Sequence, residues 1–341
     1  MGSGKGSEAA VAAAAGEAAV LVFAVRAARD KARAVATAEA LCLLGDLGPI
    51  ALEGGPLSER GGVFWIRLRP SDLAAATPRL ARLGYSESVD LLEPEPVAEG
   101  AGAHGAPAAA AANAPVGDPA PRRVRWRRRW YRLVSLYAED AAALREEAPD
   151  RRVFLWETGS GEVKAVRGYR GDGAPLSRRG LPVYDARMLV NLAAPRQGEV
   201  FLDPFAGIGG IVREAAAGGC GITLSTDIDP ALRHGLRAMS GNRHAVADAS
   251  RLPFGNATVD AVATEPPYHA EATAAVHGAL REMRRVLRPG GRLAVLCAAS
   301  QADGLRAEAA AAGGLEGFLD APVNRKGLDV VVLAWRKAGG P

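Results

Sequence analysis

The sequence predicts an α/β protein in which a Rossmann-like parallel sheet occupies the second half of the chain and a smaller α+β domain precedes it. Three observations lead there. Between Val200 and Ala215 a short apolar run, Val200-Phe201-Leu202, closes on Asp203 and turns through Gly207, Gly209 and Gly210 into a helical pattern from Ile211. Further apolar runs at Ile222 to Ser225, Asp260 to Thr264 and Arg292 to Cys297 alternate with helical segments, the rhythm of a βαβ sheet. The N-terminal quarter reads instead as short elements in the order βαβα.

At 341 residues the chain is long enough for two domains, and 48% hydrophobic with 23% charged residues is a globular balance. Forty-two basic against 38 acidic residues leave a net charge of only +4, so any nucleic-acid affinity must come from local clusters. The three cysteines, Cys42, Cys220 and Cys297, are scattered and form neither a disulfide framework nor a zinc pattern, which points to a reducing, cytoplasmic setting without a metal. No apolar stretch approaches the about 20 residues needed to cross a bilayer, and the alanine-rich run after Met1 to Ser7 lacks the hydrophobicity of a secretory signal. No membrane partner is expected.

Residues 1–18 read as a flexible leader. In residues 19–93, Val20 to Val25 is a strand, Asp30 to Leu44 a helix broken by Gly45 and Gly48-Pro49, Val63 to Leu68 a strand, and Leu73 to Leu83 a helix ending at Gly84. This is the pattern of a small α+β domain of ferredoxin-like type, with no acid–base pair, phosphate loop or metal spacing of its own. Glu93-Pro94-Glu95-Pro96 opens residues 94–121, where Ala, Gly and Pro dominate, too little apolar surface to order itself. His104 lies there and is expected to be inert.

Residues 122–177 begin with Arg122-Arg123-Val124-Arg125-Trp126-Arg127-Arg128-Arg129-Trp130-Tyr131-Arg132. Guanidinium groups interleaved with aromatic rings can contact phosphates while bases stack on the rings, so an RNA partner is expected through this segment and the N-terminal domain. The other reading is a solvated charge run leading into a strand at Leu133 to Tyr137, with its tryptophans in the core. A helix over Glu139 to Glu147 and a strand at Val153 to Trp156 follow. Beyond Pro182, an amphipathic helix is expected from Tyr184 to Ala193.

The glycine turn after Asp203 lets a ligand approach the backbone closely, and the helix behind it offers free N–H groups and a positive dipole end. Its spacing is not that of the dinucleotide fingerprint. Asp227 ends the next strand, where a carboxylate is placed to accept hydrogen bonds from the ribose hydroxyls of an adenosine cofactor. Asp229-Pro230 reads as a helix cap and first-turn proline. His234 and His244 are lone histidines without a chemical context.

Asp203-Pro204-Phe205-Ala206-Gly207-Ile208-Gly209 resembles motif I of S-adenosylmethionine (SAM) methyltransferases, in the branch that methylates amino groups on nucleic-acid bases. The segment Val246 to Phe254 resembles the one that grips adenine, with Asp248 toward the exocyclic amine and Ala249 as an apolar neighbour. Glu265-Pro266-Pro267-Tyr268 resembles the Asp/Asn-Pro-Pro-Tyr motif of enzymes that methylate exocyclic amines. Such a nitrogen is a poor nucleophile because its lone pair is delocalised into the ring. A side-chain oxygen and the first proline's carbonyl can accept its two hydrogens and free the lone pair, while the tyrosine ring stacks on the base. Two prolines hold those acceptors in place. Glu265 departs from the pattern by one methylene, which leaves the substrate amine open, and His269, where small residues are common in the family, either lines the pocket or assists a proton.

Val286-Leu287-Arg288-Pro289-Gly290-Gly291-Arg292-Leu293 resembles the common lead into the fifth strand of methyltransferases, and Asn324 to Trp335 reads as the final hairpin strand. Residues 178–337 are therefore similar to the tRNA guanine-N2 methyltransferases, a class I Rossmann-like methyltransferase domain that follows an RNA-binding, THUMP-containing region; no THUMP sequence is recognisable here. The resemblance implies SAM bound by Asp203, Phe205, Gly207, Gly209, Asp227, Ile228, Asp248 and Ala249. It implies amine handling by Glu265, Pro266, Pro267 and Tyr268. A methyltransferase of a small-molecule amine, or a non-catalytic RNA-binding protein with a SAM fold, are the alternatives.

Overall fold

The computed structural model describes residues 21–27, 32–52, 62–95, 123–126, 129–135, 153–157, 163–167, 180–325 and 328–339. The leader, His104, most of the 94–121 stretch, the helix expected over Glu139 to Glu147, and Arg122, Arg127 and Arg128 lie outside them.

The first sheet combines β1 (Leu21–Ala27), β2 (Ile50–Leu52), β3 (Val63–Leu68), β4 (Ser86–Pro94), β5 (Arg123–Trp126) and β6 (Arg129–Ser135) in the order β2-β3-β1-β4-β6-β5. Helices α1 (Arg33–Leu43) and α2 (Leu73–Leu80) fall between β1 and β2 and between β3 and β4, so the first four strands and two helices run β-α-β-β-α-β. All neighbouring strands are antiparallel. Two findings differ from expectation. β4 continues through Glu93-Pro94, placed by composition at the start of the linker, because Glu93 and Pro94 pair with Arg132 and Tyr131. The basic segment is likewise no lead-in to a single strand: its two strands form a hairpin that extends this sheet. A separate hairpin pairs β7 (Val153–Glu157) with β8 (Val163–Arg167).

After α3 (Val183–Ala193) comes the second large sheet: β9 (Val200–Asp203), β10 (Ile222–Asp227), β11 (His244–Val246), β12 (Val259–Thr264), β13 (Leu287–Ala298), β14 (Leu315–Arg325) and β15 (Leu328–Lys337). Their order is β11-β10-β9-β12-β13-β15-β14. The first five are parallel and β15 is antiparallel to both neighbours. The final hairpin thus has two long strands, where the sequence pattern gave one. Helices α4 (Gly210–Ala217), α5 (Arg233–Met239), α6 (Thr273–Val286) and α7 (Ala299–Ala312) complete the unit. From β9 the chain moves outward to β10 and β11, then returns to β12 on the other side. The crevice between the carboxyl ends of β9 and β12 is therefore a topological switch point, where ligands of open α/β sheets bind.

Helix α3 is not amphipathic in its surroundings. Every residue from Asp185 to Ala193 is buried, including Asp185, Arg187 and Asn191. Its apolar side lies on the sheet, and its polar side meets α4 and the N-terminal domain. Arg187 pairs with Glu214 of α4 at 2.9 Å, both nearly inaccessible. Asn191 donates at 2.7 Å to Glu39 of α1, whose carboxylate also accepts the amides of Gly84 and Tyr85 at 2.6 and 3.0 Å. Polar groups this deep are tolerated because each has a partner. A Cβ on Gly84 would run into the Tyr184 carbonyl oxygen, so the two domains meet here backbone to backbone. Among the described residues no helix is long and apolar enough to cross a membrane, and no cluster of side chains could hold a metal ion.

Candidate functional site

The site is built at the carboxyl end of the parallel strands. Asp203 closes β9, where it is 1% exposed. Its Oδ1 accepts the Phe205 amide at 3.2 Å and the Thr264 hydroxyl at 2.7 Å, which fastens the glycine turn of β9 to the end of β12. Burial raises its pKa to about 7, reinforced by the nearby charges of Asp227 and Glu265. Asp203 is thus an internal brace of the turn. Phe205 is half-buried against the core beneath.

The turn itself needs glycine. Gly207 and Gly209 have φ of +51° and +86°, the left-handed region that side chains rarely adopt. A Cβ on Gly207 would meet nothing within 4 Å, so this residue faces open space, whereas one on Gly209 would strike the Met239 sulfur. Gly207 donates its amide to Asp227 Oδ2 at 2.8 Å, and Asp229 donates to Asp227 Oδ1 at 2.9 Å. Asp227 is only half-buried, and each carboxylate oxygen keeps a further lone pair. Beside it Ile228 is 70% exposed, an apolar side chain left open to solvent at the carboxyl end of β10. Asp229 caps the following turn through Ala231, as expected. Asp248 is exposed, with Oδ1 accepting the Ser250 amide at 2.8 Å, and Ala249 is buried beneath it. The adjacent loop is drawn in by the Ala247 amide on the Asp227 carbonyl. The carboxyl ends of β9, β10 and β11 therefore bring Asp203, Asp227 and Asp248 to one edge.

Glu265-Pro266-Pro267-Tyr268 follows β12 on the other side of the crevice. Glu265 Oε1 receives two donors, Arg325 Nη1 at 2.7 Å and the Tyr268 hydroxyl in a short hydrogen bond. Oε2 takes no hydrogen bond from the described residues, nor does the Pro266 carbonyl. Pro267 is exposed, and its carbonyl is occupied by Gln301 of α7 at 2.8 Å. Burial, together with Glu265, pushes the Tyr268 phenol far above its ordinary pKa, so it remains a donor. Arg325 also pairs through Nε with Asp185 Oδ2 at 2.9 Å, and Asp185 Oδ1 accepts the Tyr85 hydroxyl at 2.5 Å. Burial opposes the charge on Arg325, but Asp185 and Glu265 more than offset it and raise its pKa. A continuous polar chain thus runs from Tyr85 of the N-terminal domain through Asp185 and Arg325 to Glu265.

Arg325 and Asp185 are the site residues that sequence reasoning missed. Arg325 stands 60 positions from Glu265, in a strand with no motif, and only its hairpin partner's place in the sheet brings it near. A lone arginine at the tip of a terminal hairpin was the one available signal. His269 contacts Glu271 at 3.2 Å and is largely exposed. His244 is buried in β11 with Nδ1 against Ser225, and burial lowers its pKa. Its position is structural, and His234 lies exposed on α5.

In the basic hairpin, Glu95 holds Arg123, whose guanidinium also lies 5.4 Å over the Trp130 ring, and Glu93 holds Arg132 at 2.5 Å. Arg125 and Arg129 are exposed.

Residues 202–295 match the family described as methyltransferase domain. No curated protein matches the chain significantly. Among solved structures, TrmN from Thermus thermophilus is 20% identical, covering 94% of this chain and 100% of that one, with a TM-score of 0.46. A TehB-like SAM-dependent methyltransferase from Corynebacterium glutamicum ATCC 13032 is 21% identical over 45% of this chain and 86% of that one, with a TM-score of 0.37. The 1,6-didemethyltoxoflavin-N1-methyltransferase of Burkholderia thailandensis is 20% identical over 45% and 76%, with a TM-score of 0.36. The family match and the strand order identify the class I Rossmann-like methyltransferase fold, whose methyl donor is S-adenosyl-L-methionine. The crevice fits that group: a glycine turn facing open space, a half-buried carboxylate with free lone pairs, and an apolar side chain held out beside it.

Proposed function

We propose that the protein is a SAM-dependent N-methyltransferase acting on the exocyclic amine of a nucleobase, with guanine N2 in tRNA as the foremost substrate. The observation that carries this reading is Glu265, whose carboxylate is clamped through Oε1 by Arg325 and Tyr268, while neither Oε2 nor the Pro266 carbonyl takes a hydrogen bond from the described residues. Two acceptors at the end of β12, across the switch point from the glycine turn, suit an –NH2 group that must present its lone pair toward the crevice.

When bound, SAM supplies an electrophilic methyl group on a sulfonium sulfur. Asp227 accepts from the ribose, Ile228 and Ala249 cover the adenine, and Asp248 accepts its amino group, while the Gly207 turn lets the ligand lie close to the backbone. Glu265 Oε2 and the Pro266 carbonyl accept the two amine hydrogens and turn the nitrogen's lone pair out of conjugation. Arg325 answers the extra methylene of Glu265: it fixes the longer side chain at its tip, so the free oxygen has a defined place. Tyr268 offers a ring against the base and locks the same carboxylate with its hydroxyl. Exposed Arg125 and Arg129 of the β5–β6 hairpin contact RNA phosphates.

The pairing of Arg123 with Glu95 and of Arg132 with Glu93 favours a second reading, in which these two arginines are already neutralised within the sheet and the substrate is a small-molecule amine. Nucleoside mass profiles of tRNA from cells with and without this gene test the choice. Loss of an N-methylated guanosine supports the tRNA reading, and an unchanged profile, with SAM binding intact, favours the small amine.

A further inference from the structure

At the opposite end of the sheet from the candidate active site, a cavity of about 410 Å³ lies between the two domains. Its walls carry four arginines: Arg79 and Arg82 from the N-terminal domain, and Arg196 and Arg292 from the other. The one acidic side chain in its lining is Asp46, and Arg79 holds that carboxylate with both Nη atoms. β9, four residues and about 13 Å long, separates this cavity from the glycine turn.

The charges of Arg82 and Arg292 are only partly offset where they sit. Arg82 donates to the Ala217 and Glu214 carbonyls at 3.1 and 3.4 Å, and Arg292 to those of Ala193 and Ala194 at 3.0 and 2.7 Å. These are the carboxyl ends of α4 and α3, whose orphan carbonyls welcome a cation. They neutralise no full charge, however. Glu214 is taken by Arg187 at 2.9 Å and stands 3.8 Å from Arg82. Glu199, at the border, is turned onto the Arg196 amide at 2.8 Å. Burial lowers the pKa of both Arg82 and Arg292; Arg187 and Arg196 respectively add repulsion, and Glu214 and Glu199 offset part of it. Two desolvated cations and a third exposed one therefore converge on a cleft whose one lining carboxylate, Asp46, is held by Arg79, while Glu214 is shared between Arg187 and Arg82.

We propose that this cleft is a second binding site, which takes a phosphate-bearing anion between Arg82 on one domain and Arg196 and Arg292 on the other. Guanidinium forks match phosphate oxygens, and the unused N–H groups of each arginine are the donors. A ligand there joins the two domains from behind the sheet and does not reach the amine residues. The phosphate belongs either to a small free anion or to a polynucleotide backbone. This inference does not depend on the methyl-transfer reading.

Titration of the full chain with inorganic pyrophosphate, and separately with a single-stranded RNA oligonucleotide lacking a terminal phosphate, tests it. Arg196→Ala is the clean variant, because Arg196 is exposed and its side chain supports neither helix end; Arg292→Lys keeps charge but removes the fork. The parent is expected to bind pyrophosphate with a raised thermal midpoint, and each variant to bind it about tenfold more weakly, with SAM affinity unchanged. If pyrophosphate does not bind but Arg196→Ala weakens RNA binding and flattens its salt dependence, the phosphate is a backbone phosphate. If neither variant alters the affinity for either probe, the arginines only cap helix ends and the proposal is overturned.

Discussion

Shortening Glu265 to aspartate probes the proposed amine site most sharply. The change keeps a carboxylate but withdraws it by about one C–C bond, about 1.5 Å. Oε1 now lies 2.7 Å from Arg325 Nη1, so a retreat of that size takes it out of hydrogen-bond range and frees Tyr268 as well. Arg325 keeps its second anchor on Asp185 and does not follow. A hydrogen bond to a charged group contributes about 1.5–3 kcal/mol, and a half-buried site sits at the lower end of that range. Glu265→Asp is therefore expected to lose about 10-fold in turnover, and Glu265→Ala, which removes the acceptor itself, about 100-fold or more. Calorimetry should find SAM affinity nearly unchanged in both, since neither touches Asp227 or the glycine turn. The assay is transfer of tritiated methyl from SAM to bulk tRNA under single-turnover conditions. Glu265→Asp turning over at the parent's rate would refute the clamp, and Glu265→Ala doing so would refute the orienting role altogether.

Asp203 gives a pH prediction. Folded, it holds its proton to about pH 7, whereas the unfolded chain releases it near 3.8. The folded state binds more protons between these values, so stability falls as pH rises through that window, by up to about 4 kcal/mol. Asp203→Asn, which keeps the acceptor for Thr264, should flatten the dependence in denaturant titrations at pH 5 and pH 8; an unchanged slope would contradict the assignment. Gly84→Ala drives a Cβ into the Tyr184 carbonyl and within 3.0 Å of the Met188 amide, and should lower stability by about 1–3 kcal/mol. A thermal midpoint equal to the parent's would show that the domains are not packed backbone to backbone there. Arg125→Ala with Arg129→Ala should reduce the slope of log affinity for single-stranded RNA against log salt by about 1.4, from about 0.7 per phosphate contact. The same change at Arg123 and Arg132, already paired with glutamates, should move it less.

Much of the second sheet was legible because β9, β12 and β13 carry apolar runs and the strands end on conspicuous residues. Asp203 with its glycines, Asp227, and Glu265 before two prolines each marked a strand end, and the structure places all of them at one edge of the sheet. Three kinds of element were not. β2 is three residues long, and β4 alternates serines and acids, so neither carries a strong apolar period. Helix α7 is alanine-rich and lacks a clear polar face. Helix α3 was misread for a different reason. Its polar residues predict a wet side, but Asp185, Arg187 and Asn191 are the groups that Arg325, Glu214 and Glu39 satisfy. A period in the sequence records which face is polar and says nothing of a polar partner arriving from elsewhere. Arg325 was invisible on the same ground. Its role exists only because the β14–β15 hairpin folds back beside β13 and brings it to the mouth of the crevice.

The central claim is that Glu265 and Pro266 present a base amine to a SAM-bound crevice, and one experiment bears on it directly. Purified full-length protein is incubated with bulk tRNA and methyl-labelled SAM, and the RNA is digested to nucleosides and resolved by mass. The account predicts label in a guanosine methylated on its exocyclic nitrogen, and none with Glu265→Ala. Label on a ring nitrogen, a carbon or a ribose oxygen, or equal labelling by Glu265→Ala, would contradict it.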